Sequence, residues 1–284
     1  MINRYLLCAL LPLLVNSPQL EIRKDPIKSA TAIEERVNEK DTIWQKIDEG
    51  LYFQEFYAPQ KSKVGDSRIS VVKMNPKIYT FDLLSASEFG KKITAGEWGK
   101  EEGLVAVINA GMFLPDNKHI GYAKNFNHLD NKSVNKYGAF FLCNPKEDNL
   151  PLVQIVGKNG FDNLKEKYNT VVQNMFVINE KKISWSKSSK IWSMAVLGAD
   201  DKGNVLFIHS RSPYSVHDFA AILQALPLSI RNAMYLEGGP EASLYLSAKG
   251  VRFEKFGSSE TGFNENDYNS RAWPLPTVIG AVKK

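Results

Sequence analysis

The sequence VAVINAGMF at residues 105–113 begins with a continuous apolar run and ends in polar and small residues. A short apolar run without alternation is typical of a strand that is buried on both faces. We predict such a strand over residues 104–108, with the amide side chain of Asn109 at its end. Ala110 and Gly111 follow, and residues this small would let backbone N–H groups approach a ligand closely.

A second stretch, MYLEGGP at residues 234–240, has the same arrangement. It predicts a short strand over residues 233–236, then the carboxylate of Glu237, then a turn at Gly238 and Gly239. Ligands of α/β sheets bind at strand ends of this kind. We therefore predict that both stretches contribute to one polar active site. The alternative is that they are ordinary turns and that Glu237 is a solvated surface acid.

The remaining sequence predicts many strands and few helices. Apolar alternation or aromatic and β-branched enrichment indicates further strands over residues 51–57, 68–72, 78–84, 138–142, 153–156, 171–178, 182–185, 193–198, 205–209 and 273–282. A helix is predicted over residues 215–226, where Ser215 is a suitable cap and Pro227 ends the apolar periodicity. We predict an α+β fold, a single domain built on a mixed β-sheet core with a few flanking helices.

Four segments are less regular. Residues 160–168 fit a short helix, and residues 241–246 fit either a short helix or a strand. Residues 97–103 are polar and glycine-bounded, so we expect a loop. Residues 109–136 are polar and irregular, and a connection of this length in a compact domain is usually functional.

The composition and the N-terminus indicate an exported, folded protein. The chain has 284 residues, of which 43% are hydrophobic and 24% charged, and its net charge of +5 is too scattered for a nucleic-acid footprint. Arg4 precedes an apolar run over residues 5–15 that has the length of a signal peptide; a buried helix or an uncleaved anchor are the alternatives. We therefore expect a signal peptide or anchor over residues 1–17, a linker over 18–43 and the functional domain over 44–284, acting in the periplasm or secreted.

The sequence lacks several common catalytic motifs. It contains no Gly-x-x-x-x-Gly-Lys-Ser/Thr loop, no Gly-x-Ser-x-Gly elbow, no His-Glu-x-x-His and no Cys-x-x-Cys. His119 and His128 lie near Asp116 and Asp130, but their spacing matches no compact metal motif. We expect no metal site and no cofactor. Cys143 would be the only thiol after signal removal, which leaves no intramolecular disulfide.

The two stretches, in this order, resemble the phosphodiester glycosidase family. The family pattern Asn-(Ala/Gly)-x-Phe-Phe corresponds to residues 109–113, and Leu-Asp-Gly-Gly-x-Ser corresponds to the segment that starts at Leu236. The ending RAWPLPTVIG at residues 271–280 is similar to the family's Arg-Pro-Val-Pro-Asn-Ala-Ile-Gly. The resemblance covers roughly residues 65–282. Glu237 stands where the family has Asp, and no arginine near residues 193–198 matches the one that relatives often have there.

The resemblance implies an exported hydrolase that cleaves a sugar-1-phosphate diester or a related envelope glycan. The expected partners are a glycan or sugar-phosphate substrate and the cell envelope, not nucleic acid. The alternative is a non-catalytic glycan-binding or polysaccharide-assembly protein with the same fold. Under the first hypothesis Glu237 is the base or nucleophile, and Asn109 orients the sugar or the water. His209, which follows the strand over residues 205–208, is an acid or base, or else a structural histidine.

The same resemblance implies a set of substrate-binding groups. Backbone N–H groups of the glycines would bind oxyanions, and basic side chains would lie near phosphate. For each basic residue, a surface position is the alternative. The predicted substrate-binding residues are Gly111, Gly238, Gly239, Ser243, Lys124, Gln173, Asn174, Ser210, Arg211 and Arg271.

Overall fold

A computed structural model describes residues 44–284 of the chain, so the predicted signal peptide and linker lie outside the described residues. Two sheets and four helices make up the regular structure of this part. The strands are β1 (Gln45–Asp48), β2 (Leu51–Tyr57), β3 (Arg68–Met74), β4 (Tyr79–Ser85), β5 (Ala106–Asn109), β6 (Ala123–Asn125), β7 (His128–Asn131), β8 (Ala139–Pro145), β9 (Val153–Val156), β10 (Tyr168–Asn179), β11 (Lys182–Ile183), β12 (Trp192–Asp200), β13 (Val205–Tyr214), β14 (Ile230–Gly238), β15 (Ser243–Ala248), β16 (Val251–Phe256) and β17 (Thr277–Lys283). The helices are α1 (Ala86–Phe89), α2 (Ala95–Glu101), α3 (Lys158–Leu164) and α4 (Val216–Ala225).

The larger sheet has the main order β1-β2-β3-β13-β12-β14-β10-β6-β7; β8 and β11 also pair with β10, and β9 pairs with β8. The smaller sheet has the order β16-β15-β5-β17-β4. Apolar side chains from both sheets form one buried cluster, so the main core lies between them. Helix α4 packs on the other face of the larger sheet, and α2 packs on the other face of the smaller sheet.

Strand β5 lies in the middle of the smaller sheet, between β15 and β17. Its four residues are all buried. Ile108 faces the core between the sheets, whereas Val107 contacts the cluster around Trp98 of α2. Burial on both faces explains why this stretch is a continuous apolar run rather than an alternating one. The prediction of a buried strand that ends at Asn109 is confirmed.

Most predicted strands are confirmed, and two of them extend farther than the sequence indicated. Strand β14 continues through Glu237 and Gly238, which pair with Ala195 and Met194 of β12. Strand β13 continues to Tyr214, so His209 lies within the strand rather than after it. The open choice at residues 241–246 is resolved by a 3-10 turn over Gly239–Glu241 followed by β15.

The helix predicted over residues 215–226 is confirmed as α4, and the short helix predicted over 160–168 corresponds to α3. The Ser215 hydroxyl accepts the Asp218 N–H at 3.1 Å, as expected of a capping serine. None of the helices within residues 44–284 has the length and apolar character that a membrane span requires.

The loop predicted over residues 97–103 is wrong, because most of it belongs to α2. Thr94 and Glu97 form a reciprocal capping box, in which each side chain accepts the backbone N–H of the other residue. Trp98 is fully buried and donates its indole N–H to the Leu275 carbonyl at 3.1 Å. Two glycines in this short helix conceal the helical pattern, whereas the cap and the buried indole stabilise it.

The fold-class prediction is confirmed in part. The described residues are 47% strand and 13% helix, so the protein is more β-rich than the α+β label suggests. We expected a mixed sheet, but every strand pairing within residues 44–284 is antiparallel. Antiparallel neighbours can be joined by short turns, whereas parallel neighbours need long crossover connections, usually helical. Few helices were therefore an indication of antiparallel sheets.

Thr94→Ala should destabilise the protein by about 1 kcal/mol, because it removes the side chain that accepts the Glu97 N–H at the start of α2. Thr94→Ser keeps the capping oxygen and is the control. Urea unfolding of the three proteins measures the difference. Equal unfolding midpoints for Thr94→Ala and the wild type would show that the cap does not stabilise α2.

Candidate active site

A tight turn carries the chain from the larger sheet to the smaller one. Strand β14 ends at Gly238, the 3-10 turn spans Gly239–Glu241, and β15 starts at Ser243. Gly239 has a φ of +65°, and a Cβ atom there would lie 2.5 Å from the Glu260 carboxylate. Only glycine fits this position without strain. The second predicted stretch is thus the crossing between the two sheets, which we call the sheet-crossing turn (residues 237–243).

Asn109 joins the first predicted stretch to the sheet-crossing turn. Its side-chain Oδ1 accepts the backbone N–H of Ser243 at 3.0 Å. On the next residue, Ala110, the N–H donates to the Thr277 carbonyl at 3.0 Å, and the carbonyl accepts from Asn174 Nδ2 at 2.8 Å. The two stretches that are about 130 residues apart in sequence therefore meet through a direct hydrogen bond.

Unpaired buried polar atoms surround this junction. Within residues 44–284, the buried side-chain atoms that have no hydrogen-bond partner are Asn109 Nδ2, His119 Nδ1, Asn174 Oδ1, Ser243 Oγ, Thr277 Oγ1 and Tyr79 Oη. All but the last belong to residues that contact the segment 109–111 or the sheet-crossing turn. Buried polar groups are normally paired, so such a concentration indicates a site that a polar ligand or water completes.

Gly111 lies among these atoms. Its φ is +150°, and a Cβ atom there would collide with Asn174 Oδ1 and come within 2.6 Å of His119 Cε1. The His119 Nε2–H donates to the Gln173 carbonyl at 2.7 Å, which leaves Nδ1 as an acceptor. Burial lowers the pKa of His119, so the ring is neutral at physiological pH. Sequence reasoning considered this histidine only as a metal ligand, and within residues 44–284 no three His, Cys, Asp or Glu side chains are grouped as a metal site requires.

Glu237 carries the most perturbed carboxyl group of the sheet-crossing turn. Burial, with smaller contributions from the neighbouring carboxylates of Glu241 and Glu260, raises its pKa to about 8. The Gly238 N–H, which donates to Glu237 Oε1 at 3.1 Å, opposes the shift but does not cancel it. At neutral pH most Glu237 side chains are therefore protonated and can donate a proton or a hydrogen bond.

Aromatic side chains and one cation complete the surroundings. Tyr235 is buried beside Glu237, and its ring centroid lies 5.9 Å from that of Trp185. Burial, followed by the charges of the three glutamates, raises the pKa of Tyr235 well above its usual value. The charge of Lys92 lowers the pKa of Glu241 against the larger effect of burial, which raises it. The Lys92 amine also lies 4.6 Å from the ring centre of Phe113, in the first stretch.

His209 fixes the sheet-crossing turn from another side. Its ring is buried, and Nε2 lies 3.2 Å from the Ala242 carbonyl, to which it donates because a carbonyl can only accept. Burial, with a smaller contribution from Lys255, lowers the pKa of His209 to about 3. The imidazole is therefore neutral and engaged at physiological pH. This arrangement corresponds to the structural alternative rather than to a titrating acid or base.

Arg211 uses its guanidinium group to hold one segment of the chain, residues 256–269. Nε donates to the Asp267 carboxylate at 2.6 Å, and the two Nη groups donate to the carbonyls of Phe256, Asp267 and Asn269. Ser193 Oγ accepts the N–H groups of the same segment at residues 258 and 259. The segment carries Glu260, so Arg211 acts on the site by positioning this loop.

Gln173 and Ser210 also have structural hydrogen bonds. Gln173 Oε1 accepts the N–H groups of Tyr122 and Asn135, while Nε2 donates to the carbonyls of Asn135 and Tyr137. These four bonds use the full capacity of the amide and hold the polar connection after β5. Ser210 Oγ donates to the Ser212 carbonyl at 2.8 Å, inside β13.

The structure therefore brings together part of the predicted site. Around the sheet-crossing turn lie Asn109, Gly111, Asn174, His209, Glu237, Gly238, Gly239 and Ser243. Lys124 lies on β6, opposite Val171, and Arg271 is exposed. Neither side chain forms a hydrogen bond or salt bridge within residues 44–284, and their roles stay predictions.

Sequence reasoning missed Tyr235, Glu241, Glu260 and Lys92. The first two lie within or beside the second stretch, where an aromatic ring and a further acid next to Glu237 were a usable signal. Glu260 and Lys92 reach the site only through tertiary packing. Nothing in their local sequence distinguishes them from solvated charges.

Comparisons with known proteins agree with this architecture. The model of the phosphodiester glycosidase family matches residues 102–282 of the chain. The fold is similar to that of the zebrafish N-acetylglucosamine-1-phosphodiester α-N-acetylglucosaminidase catalytic domain, with a TM-score of 0.59 and 13% identity over 84% of this chain and 86% of that chain. A hypothetical protein from Synechocystis has the same TM-score and identity over 83% of this chain and 62% of that chain. The chain matches no curated protein sequence. At 13% identity, these likenesses show the fold alone.

Arg211→Lys should loosen the segment 256–269, because an ammonium group cannot reproduce the forked hydrogen bonds to three residues. We expect hydrogen exchange of peptides from this segment to become faster, with exchange in α4 unchanged. Arg271→Lys is the control, since the Arg271 side chain is exposed in the same region. If hydrogen exchange of residues 256–269 is unchanged in Arg211→Lys, Arg211 does not position this segment.

Glu237→Gln should stabilise the protein more at pH 8 than at pH 5. The ordinary pKa is 4.5 and the folded value is about 8, so between these values the unfolded chain loses the proton first. Stability of the wild type therefore falls as the pH rises from 5 to 8, whereas the amide of the variant has no proton to lose. We expect the variant's advantage to grow by at least about 1 kcal/mol, or roughly 2–4 °C in Tm.

Thermal unfolding at several pH values measures this difference. The control is Glu147→Gln, which removes an exposed carboxylate far along the chain from the sheet-crossing turn. Its Tm difference from the wild type should not change with pH. If the Tm difference between Glu237→Gln and the wild type is also independent of pH, the carboxyl group is not desolvated.

Proposed function

The chain belongs to the phosphodiester glycosidase family, and from this we propose that it is a hydrolase that cleaves the bond between the anomeric carbon of a sugar and the phosphate of a sugar-1-phosphate diester. The observation that carries the proposal is the carboxyl group of Glu237 in the sheet-crossing turn, whose pKa is raised to about 8 by its burial and the neighbouring carboxylates. A carboxyl group with a raised pKa beside other carboxylates is the arrangement that glycoside hydrolysis uses.

The unpaired polar atoms support a sugar as the ligand. Asn109 Nδ2 is a donor, Asn174 Oδ1 and His119 Nδ1 are acceptors, and Ser243 Oγ can act as either. Sugar hydroxyl groups both donate and accept, so their chemistry matches this mixed set. The zebrafish relative is named for an N-acetylglucosamine-1-phosphodiester. N-acetylglucosamine is therefore the first sugar to test.

The reaction needs little help at the leaving group. When the bond between C1 and oxygen breaks, its electron pair remains on the phosphate monoester, which is a stable anion. Water supplies the new oxygen at C1 and releases one proton. Because Glu237 already holds a proton at neutral pH, it can donate a hydrogen bond to the phosphate, whereas an ionised carboxylate would repel it.

The proton from water then needs a different acceptor. Glu241 and Glu260 are the carboxylates whose charges raise the pKa of Glu237, and one of them acts as the general base. Lys92, whose charge reaches Glu241, contributes positive charge where the phosphate would lie. This assignment differs from the sequence-based hypothesis, in which Glu237 itself is the base or nucleophile, because the burial of Glu237 could not be read from the sequence.

The site of action is proposed from the N-terminus. The apolar run over residues 5–15 has the length and flanking charge of an export signal. We propose that the protein acts in the periplasm or outside the cell. Secretion of a tagged full-length chain into the periplasm or medium would support this location.

Hydrolysis of the methyl phosphodiester of N-acetylglucosamine-1-phosphate tests the proposed activity. The wild type should release free N-acetylglucosamine, and Glu237→Ala should lower kcat/KM by about 100-fold or more, because it removes the hydrogen-bond donor to the phosphate. The rate should also fall above about pH 8, where Glu237 ionises. Glu147→Gln, the exposed control, should retain wild-type activity.

Two results would contradict the proposal in different ways. Turnover that survives Glu237→Ala would show that the catalytic site lies elsewhere. A folded wild type that binds N-acetylglucosamine but hydrolyses no phosphodiester would favour the alternative of a glycan-binding or polysaccharide-assembly protein.

A further inference from the structure

A shallow groove of about 330 Å³ lies beside the sheet-crossing turn. Pro240, the residue after Gly239, lines one part of it, and the rings of Phe263, Tyr268 and Trp273 line another. We call it the aromatic groove. It contains no charged side chain among its lining residues, although a quarter of the chain's residues are charged.

Two of the three aromatic rings of this groove are largely exposed to solvent. Phe263 is 65% exposed and Tyr268 is 86% exposed, and the ring of Phe263 meets that of Trp273 edge-on at 6.1 Å. Exposed aromatic clusters are uncommon on folded proteins and often mark a binding surface. Their side chains therefore require an explanation beyond packing of this domain.

The groove is rigid because hydrogen bonds from side chains to the backbone hold the loop that forms it. Asn264 Nδ2 donates to the Ser258 carbonyl at 2.9 Å, and Asn269 Nδ2 donates to the Gly257 carbonyl at 2.7 Å. Arg211 holds the same loop through its guanidinium group. A preformed surface loses little conformational entropy when it binds a ligand.

The groove continues directly from the carboxylate cluster. The Glu260 N–H donates to the Asn264 carbonyl at 2.6 Å, and the Phe263 N–H donates to the Glu260 carbonyl at 3.1 Å. Glu260 therefore faces the sheet-crossing turn with its carboxylate, while its backbone holds the residues of the groove. One ligand could span both.

The chemistry of the groove selects a neutral ligand with one apolar face and a polar rim. A sugar ring has these properties, because the C–H groups of its face pack on aromatic rings and its hydroxyl groups bind amides. The Asn266 Nδ2 group makes no hydrogen bond within residues 44–284 and is available at the groove. A phosphate or a charged peptide would find no partner of opposite charge among the lining residues.

We propose that the aromatic groove binds a second sugar ring of the same substrate, so that the natural substrate is a glycan of at least two sugars. The inference rests on the proposed function, because it takes the bound glycan to be the molecule that is hydrolysed. The binding of the second ring can nevertheless be measured without any turnover. The groove thus adds affinity and chain-length preference to a site that performs its chemistry at the sheet-crossing turn.

Binding of N-acetylglucosamine and its β-1,4-linked di- and trisaccharides to the full chain tests the groove directly. Titration followed by tryptophan fluorescence or calorimetry gives Kd for each. The disaccharide should bind about 2- to 10-fold more tightly than the monosaccharide, as expected for one aromatic contact. Tyr268→Ala and Trp273→Ala should remove this advantage, and the 86% exposure of Tyr268 makes its replacement harmless to folding.

Phe126→Ala is the matched control, because Phe126 is also an exposed aromatic residue but does not line the groove. It should keep the chain-length advantage. Equal Kd values for all three sugars in the wild type would overturn the proposal. An advantage that persists in both groove variants would overturn it as well.

Kinetics give a second, independent measurement. The methyl phosphodiesters of N-acetylglucosamine-1-phosphate and of the 1-phosphate of its β-1,4-linked disaccharide should differ in kcat/KM in favour of the disaccharide, and Tyr268→Ala should reduce this ratio. If nothing is hydrolysed but longer sugars bind more tightly, the proposed reaction fails and the groove stands. If hydrolysis occurs with no chain-length effect, the groove fails and the reaction stands.

The groove could instead be covered by a second copy of the chain. Sedimentation of the wild type and Tyr268→Ala distinguishes this arrangement. A mass that falls from dimer to monomer in the variant, with unchanged affinity for sugars, would overturn the sugar-binding proposal.

Discussion

The site depends on one hydrogen bond, from the Ser243 N–H to the Asn109 side chain. The chain has to cross from the larger sheet to the smaller one beside a buried core. At the crossing, backbone N–H and C=O groups lose their sheet partners in a place that water cannot reach. Asn109 satisfies one of these groups from β5, and His209 satisfies the Ala242 carbonyl from β13. An unpaired buried donor or acceptor would cost about 1–3 kcal/mol, so both side chains stabilise the same turn from opposite sheets.

The fixed turn determines the electrostatics of the site. Because the backbone cannot move away, Glu237 remains close to Glu241 and Glu260 in a region with little solvent, and its pKa rises to about 8. The same loop that supplies Glu260 is fastened by Arg211 and carries the aromatic groove. The carboxylate cluster and the aromatic groove, to which we assign the proposed chemistry and glycan binding, are therefore positioned by a common set of structural contacts.

Much of the fold could be predicted because its signals are local. The uniform apolar run before Asn109 reflects a central strand buried on both faces, and Ser215 and Pro227 mark the ends of α4. Helix α2 could not be predicted, because its stability comes from the Thr94–Glu97 cap and a tertiary contact of its tryptophan rather than from periodicity. The antiparallel pairing of the sheets depends on connections over long sequence distances, which strand patterns do not specify.

For this protein, the sequence by itself determined which two stretches form the candidate site and which family they resemble, because short motifs and strand ends are local features. The tertiary structure decided what the individual side chains can do. It engages Arg211 in holding a loop, keeps His209 neutral, and adds Glu260 and Lys92 to the site. These properties arise from desolvation and from contacts between distant segments, and both exist only once the chain has folded.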